Sequence, residues 1–205
     1  MEALAIKSFL TLLVVMDPVA LVPMYLGVSG SMDAQEHRQV ARRSTLAAGI
    51  VLWLFTLVGG KLLATLGISL GAFRIAGGLL LFKIAVDMVF AQRERETEEE
   101  QAEALAKEDI SIFPLAIPLM AGPGAMASVM ILAGEGALIH AMGVPVVLAC
   151  ITVVLILCWA ALRLAEKIAV VLGTTGINVV TRILGVLLAA LAVQYVADGT
   201  LSFLA

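Results

Sequence analysis

Two proline-bearing breaks hold the residues of this sequence best suited to chemistry. Asp17-Pro18 interrupts one apolar run, and Gly122-Pro123 interrupts another 105 positions later. Proline removes a backbone donor and disfavours helix in the residue before it. Aspartate and glycine are both good N-cap residues, and proline suits the first helical position. Each run therefore reads as two half-helices, the second starting near the bilayer centre. A half-helix N-terminus presents free N–H groups and about half a positive charge, which suits a small anion or carboxylate. The breaks differ in what else they bring. Gly122-Pro123-Gly124 carries no reaching side chain, so its backbone can approach a ligand, whereas Asp17 supplies a carboxylate that could face an ammonium. Those two poles suit a zwitterionic amino acid. The expected substrate-binding set is thus Asp17, Pro18, Gly122, Pro123 and Gly124, with Gly77 and Gly78 as further lining positions. The competing reading is a pair of proline kinks in which Asp17 caps its own helix.

Other polar residues are candidates for a gate or for ion coupling. Lys83 and Asp87 are spaced i,i+4 on one helix face, and charge at membrane depth is costly. They read as a gate or proton-relay pair, or as an ion pair whose lysine snorkels to the surface. Asn178 and Thr181, with Thr175, stand at the entrance to the last apolar run and read as gate or capping residues. Gly67, Gly71 and Gly78, and the Gly185/Ala189 pair, read as close helix contacts. Trp53 and Trp159 lie well inside apolar runs, where packing between helices is expected. Cys150 and Cys158 are eight positions apart on one run, roughly 12 Å along a helix axis and too far for a bridge. His37 and His140 have no metal-ligand partner at usable spacing and read as loop or interface residues. No nucleophile–base pair shares a depth, so an enzyme is not expected, and neither is a cofactor or a bound metal.

The elements that position these residues are membrane spans. Apolar residues make up 61% of the chain and mean hydropathy is +1.07, beyond what a water-soluble domain carries. Six runs reach the roughly 20 residues needed to cross a bilayer: Leu4–Val28, Ser44–Leu66, Leu70–Ala91, Ile112–Ala133, Val144–Leu164 and Val179–Ala197. Loop Ser29–Arg43 separates the first two. Residues 92–110 form an acidic linker in which Glu94, Glu96, Glu98, Glu99, Glu100, Glu103, Glu108 and Asp109 outnumber Arg93, Arg95 and Lys107. No basic surface for nucleic acid is present, and the N-terminus lacks the pattern of a removed signal peptide.

The halves, 1–91 and 111–205, repeat each other. Trp53 answers to Trp159, Lys61 to Lys167, Leu66-Gly67 to Leu172-Gly173, and Phe73-Arg74-Ile75-Ala76-Gly77 to Thr181-Arg182-Ile183-Leu184-Gly185. Three spans per half is an odd number, so the repeats are expected to be inverted. Basic residues point the same way. Arg38, Arg42, Arg43, Arg93, Arg95, Lys107, Arg163, Lys167 and Arg182 share one side, with Lys7, Lys61 and Arg74 on the other. The richer side is expected to be cytoplasmic, which places both termini outside. The expected fold is an all-α integral membrane protein of six spans in two inverted repeats, with the first and fourth spans broken near the midplane.

At these residues the chain resembles the MarC family of six-span membrane proteins, also called the small neutral amino acid transporter family, within the LysE-type transporter superfamily. The resemblance rests on Asp17-Pro18-Val19 with Pro23, Gly67-Ile68-Ser69, and Phe73 through Gly78. In the second half it rests on Pro114 through Leu119, Ala121 through Ala125, Thr175 through Val179, and Thr181-Arg182. Relatives often carry Asn at the Asp17 position and Gly at the Ala20 position. The resemblance implies a prokaryotic cytoplasmic-membrane protein and transport of glycine- or alanine-class substrates. With no ATP-binding loop, a proton or sodium gradient is the expected energy source. Export of other small metabolites or drugs and a non-transporting regulatory role are the alternatives. The expected partners are a small zwitterionic substrate, a coupling proton or sodium ion and lipid, with a homo-oligomer as a further reading.

Overall fold

The structure, a computed structural model, describes residues 1–29, 32–90 and 110–203. The acidic linker and the expected end of the third span at Ala91 lie outside the described residues. Every regular element among them is helical.

Helix α1 (Glu2–Met16) ends at Asp17, which is left-handed (φ 36, ψ 77) and donates its N–H to the Leu13 carbonyl. Asp17 Oδ1 accepts the Ala20 N–H at 3.1 Å, and α2 (Leu21–Ser29) then resumes at a 40° bend. The break is where it was expected, but Asp17 is the C-cap of α1 and not the first-turn cap of α2. Three turn residues separate it from α2, and its carboxylate closes that turn.

The loop expected over Ser29–Arg43 is mostly helix. Asp33 Oδ1 accepts the N–H groups of Gln35 (2.7 Å) and Glu36 (2.8 Å), and Glu36 Oε2 accepts the Asp33 N–H at 2.8 Å. This capping box starts α3 at Ala34, ten residues before the apolar run, and α3 continues to Thr65. His37 is therefore a helix residue. The chain turns at Gly67, φ +69, into α4 (Leu70–Phe90).

In the second half, Ser111–Met120 is not the regular half-helix expected there. Pro114 and Pro118 force their predecessors into extended backbone, Phe113 at φ −125, ψ 126 and Ile117 at φ −130, ψ 123. Helix α5 (Pro123–Ile139) follows at 55°, with Gly122 as N-cap and Pro123 in the first turn, as expected. His140 ends it and accepts the Met142 N–H through Nδ1 at 3.1 Å. Helix α6 (Gly143–Arg163) and helix α7 (Ala165–Leu201) complete the bundle. The link expected before Val179 is largely helical, interrupted at Gly173 (φ 61, ψ 177). Gly67 and Gly173, the two positive-φ glycines among the described residues, are matched positions of the sequence repeat.

Helix α4 packs along the second half of α7, and the two run antiparallel. Gly71 faces Gly199, Gly78 faces Ala192 and Val196, and Ala85 faces Gly185. Small residues every seventh position on each helix bring the backbones together, so Gly185 lines up with Ala192 and Gly199, and Ala189 packs beside them against the same cluster. Gly67 makes no close contact; its conformation accounts for it.

Some of the packing pairs have a counterpart in the other half. Helix α1 lies on α6 as Ser111–Met120 lies on α3, and α5 lies on α4 as α2 lies on α7. Cys150 and Cys158 are buried and unbridged on α6. Trp53 and Trp159 are 43% and 37% exposed and face outward, contrary to the packing role expected of them. An indole on a lipid-facing surface loses nothing that burial would return.

Among the described residues, three helices are long and apolar enough to cross a membrane, and each bent pair adds one if counted as a single span, giving up to five. Helix α4 is as long as α6 but carries Arg74, Lys83 and Asp87.

Candidate functional site

The two breaks meet inside the bundle. Asp17 is 5% exposed. Val15, two residues before it, lies against Gly124. A methyl group at Gly124 would sit 2.7 Å from the Ile84 side chain, 3.1 Å from Leu81 and 3.8 Å from Val15. The second break is thus seated on α4 and α1. Gly122 is glycine for a local reason, because a Cβ there would collide with the Pro118 carbonyl. That carbonyl occupies space the sequence reading had assigned to a ligand. Pro18 is buried and Pro123 exposed.

The remaining candidates separate. Gly77 packs on α5, where a Cβ would meet Ile131 at 3.1 Å and Ala127 at 3.3 Å, while Gly78 packs on α7. Both act as helix contacts in this conformation. Lys83 and Asp87 do pair, at 3.6 Å, with the lysine side chain 56% exposed. Asn178 is exposed. Thr181 is buried, with no hydrogen-bond partner for its hydroxyl in the structure.

A second polar constellation went unread in the sequence. Glu135 on α5 accepts from Lys7 Nζ of α1 at 2.7 Å and from Arg74 Nη2 of α4 at 3.0 Å. The Glu135 and Arg74 side chains are only 12% and 17% exposed. The Lys7 ammonium also stands 5.8 Å from the ring centre of Tyr195 on α7, which is fully buried. Each charged residue lies about one turn inside its helix end, so one carboxylate ties together α1, α4 and α5 over a tyrosine of α7. The sequence presents Lys7 as an orientation marker and Arg74 as an orientation marker and repeat-matched residue, without a partner for either. The available signal is an acid inside an otherwise apolar helix, which runs to Ile139, past the expected end of the fourth span at Ala133.

Long apolar helices, two of them broken and packed break to break with ionised groups held inside, define a multi-pass integral membrane protein. The chain belongs to the MarC family: residues 3–204 match the family described as MarC family integral membrane protein. It is 33% identical over 196 residues to the UPF0056 membrane protein YhcE of Escherichia coli, covering 94% of this chain and 90% of that one. It is 36% identical over 199 residues to a UPF0056 membrane protein of Aquifex aeolicus, covering 96% and 92%. A UPF0056 membrane protein of Archaeoglobus fulgidus is 33% identical over 198 residues, covering 94% and 90%. No solved structure matches the chain.

Proposed function

We propose that this protein is a secondary transporter of small neutral amino acids of the glycine, alanine and serine class, coupled to protons or sodium. The observation that carries this reading is the meeting of two broken helices at a buried carboxylate, where Val15 beside Asp17 touches Gly124 beside Gly122. Irregular backbone persists at membrane depth only where protein or a wet cavity covers it, and paired broken helices are a transporter's usual means of forming a central site.

The proposal takes the six spans as two inverted repeats, with both termini outside the cytoplasmic membrane. Three observations support this. Repeat-related α4 and α7 run antiparallel, repeat-matched Gly67 and Gly173 share a positive φ, and two of the packing pairs, α1 on α6 and α5 on α4, have counterparts in the other half. Helix α4 can serve as a span despite its charges, since Arg74 pairs with Glu135 and Lys83 with Asp87. The Glu135 ion pairs then close the outer end, and alternating access requires them to part.

The test is flux into proteoliposomes of radiolabelled glycine, alanine and serine under an imposed proton or sodium gradient. Saturable uptake that collapses with the gradient is expected. Absence of uptake for all three under either gradient would sink the proposal.

A further inference from the structure

At the end of the bundle remote from Glu135, a cavity of about 230 Å³ lies between α2, the start of α3 and the α6–α7 link. Its charged lining is Arg38, Arg163 and Lys167 against one carboxylate, Glu166. Tyr25 and His37 also line it. The tyrosine is buried, its Oη 2.7 Å from His37 Nδ1 and donating to the His37 carbonyl at 3.1 Å. This bond fixes α2 to α3, so the cavity has a set shape. Helix α7 begins here, and among the described residues no side chain caps it.

Two further features say what kind of anion fits. The Arg163 guanidinium stacks on Trp159, 5.4 Å from the ring centre, and that indole is part of the outward apolar surface. One turn beyond Lys167, Val170 and Val171 are 85% and 81% exposed. A soluble anion would use the cationic cavity alone. A molecule with a phosphate and an acyl chain would use both the cavity and the apolar surface beside it. We infer that this cavity binds the headgroup phosphate of an anionic phospholipid, with Arg38, Arg163 and Lys167 as its ligands and the acyl chain lying toward Trp159 and Val170-Val171. Basic pockets between spans are suited to such headgroups.

The experiment titrates the full chain in detergent with phosphatidylglycerol, phosphatidylcholine or inorganic phosphate, reading bound lipid by native mass spectrometry and unfolding temperature in parallel. Phosphatidylglycerol should bind and raise the unfolding temperature, with phosphatidylcholine and phosphate far weaker. At about 1 kcal/mol for each basic residue, R38Q/R163Q should weaken phosphatidylglycerol binding by about 30-fold. K61Q, at the opposite end of the bundle, serves as the charge control and should bind as wild type. Unfolding temperatures without lipid report whether each variant is folded. Equal binding of the two lipids, an equal loss in K61Q, or protection by phosphate matching that by phosphatidylglycerol would each overturn the assignment. The last result would give the cavity to a soluble anion.

Discussion

Asp17 sits at φ 36, ψ 77, a conformation that aspartate and asparagine tolerate and that most side chains resist. Its Oδ1 also closes the turn to Ala20. Asparagine keeps both features, since it adopts the same conformation and has an oxygen in the same place. Backbone geometry therefore accounts for an Asp/Asn position without appeal to charge. Asp17→Asn should unfold within about a degree of wild type. Asp17→Ala should lose about 2–3 kcal/mol, from the missing turn hydrogen bond and the left-handed strain together. Thermal unfolding in detergent separates them, and equal losses would place the effect in the charge. If Asp17→Asn is stable, its alanine affinity in proteoliposomes becomes a direct measure of contact between carboxylate and ammonium. The existence of this break was legible in Asp17-Pro18, because proline acts on its immediate neighbours. Glu135 was not legible, because its partners lie 128 and 61 residues away and no local pattern joins them.

Glycines explain how the elements are held, and they fall into types that sequence spacing did not sort. Gly78 is a contact glycine: a Cβ there would stand 2.7 Å from the Ala192 carbonyl oxygen and 2.8 Å from Val196 Cγ2. The nearer of these atoms is helix backbone and cannot move aside alone. Gly60, inside α3, has nothing within 4 Å. Gly78→Val should therefore separate α4 from α7 and destabilise the fold by about 1–3 kcal/mol, whereas Gly60→Ala should be neutral or stabilise by up to about 1 kcal/mol. Unfolding temperatures of the two variants test the pair, and a tolerated Gly78→Val would mean that the α4–α7 contact is not tight. Apolar runs located every helix, since hydropathy reports burial in lipid directly. They misplaced the starts of α3 and α7, because a capping box and a short helix before Gly173 extend helices into polar sequence. The half-helix expected before Gly122 failed for a different reason, two prolines four positions apart.

At the scale of the whole molecule, the repeat was legible as matched residues, and the structure adds a backbone signature to it. Leu66-Gly67 and Leu172-Gly173 correspond in sequence, and both glycines turn the chain with positive φ, 69° and 61°. If the halves are inverted, these twin turns face opposite aqueous phases, and that geometry can be tested without any knowledge of substrate. Ile68 and Thr174, each following its glycine, are exposed. Both native cysteines are buried on α6, so replacing them with serine or alanine leaves a background for single-cysteine labels. In intact cells, a membrane-impermeant maleimide should modify Ile68→Cys at once and Thr174→Cys only after permeabilisation. The reversed pattern would keep the inversion and turn the molecule over, moving the Glu135 ion pairs to the cytoplasmic end. Labelling of both from the same side would remove the inversion itself. The two-pole site would then lose its symmetry argument, because Asp17 and Gly122 would no longer be related positions of one scaffold.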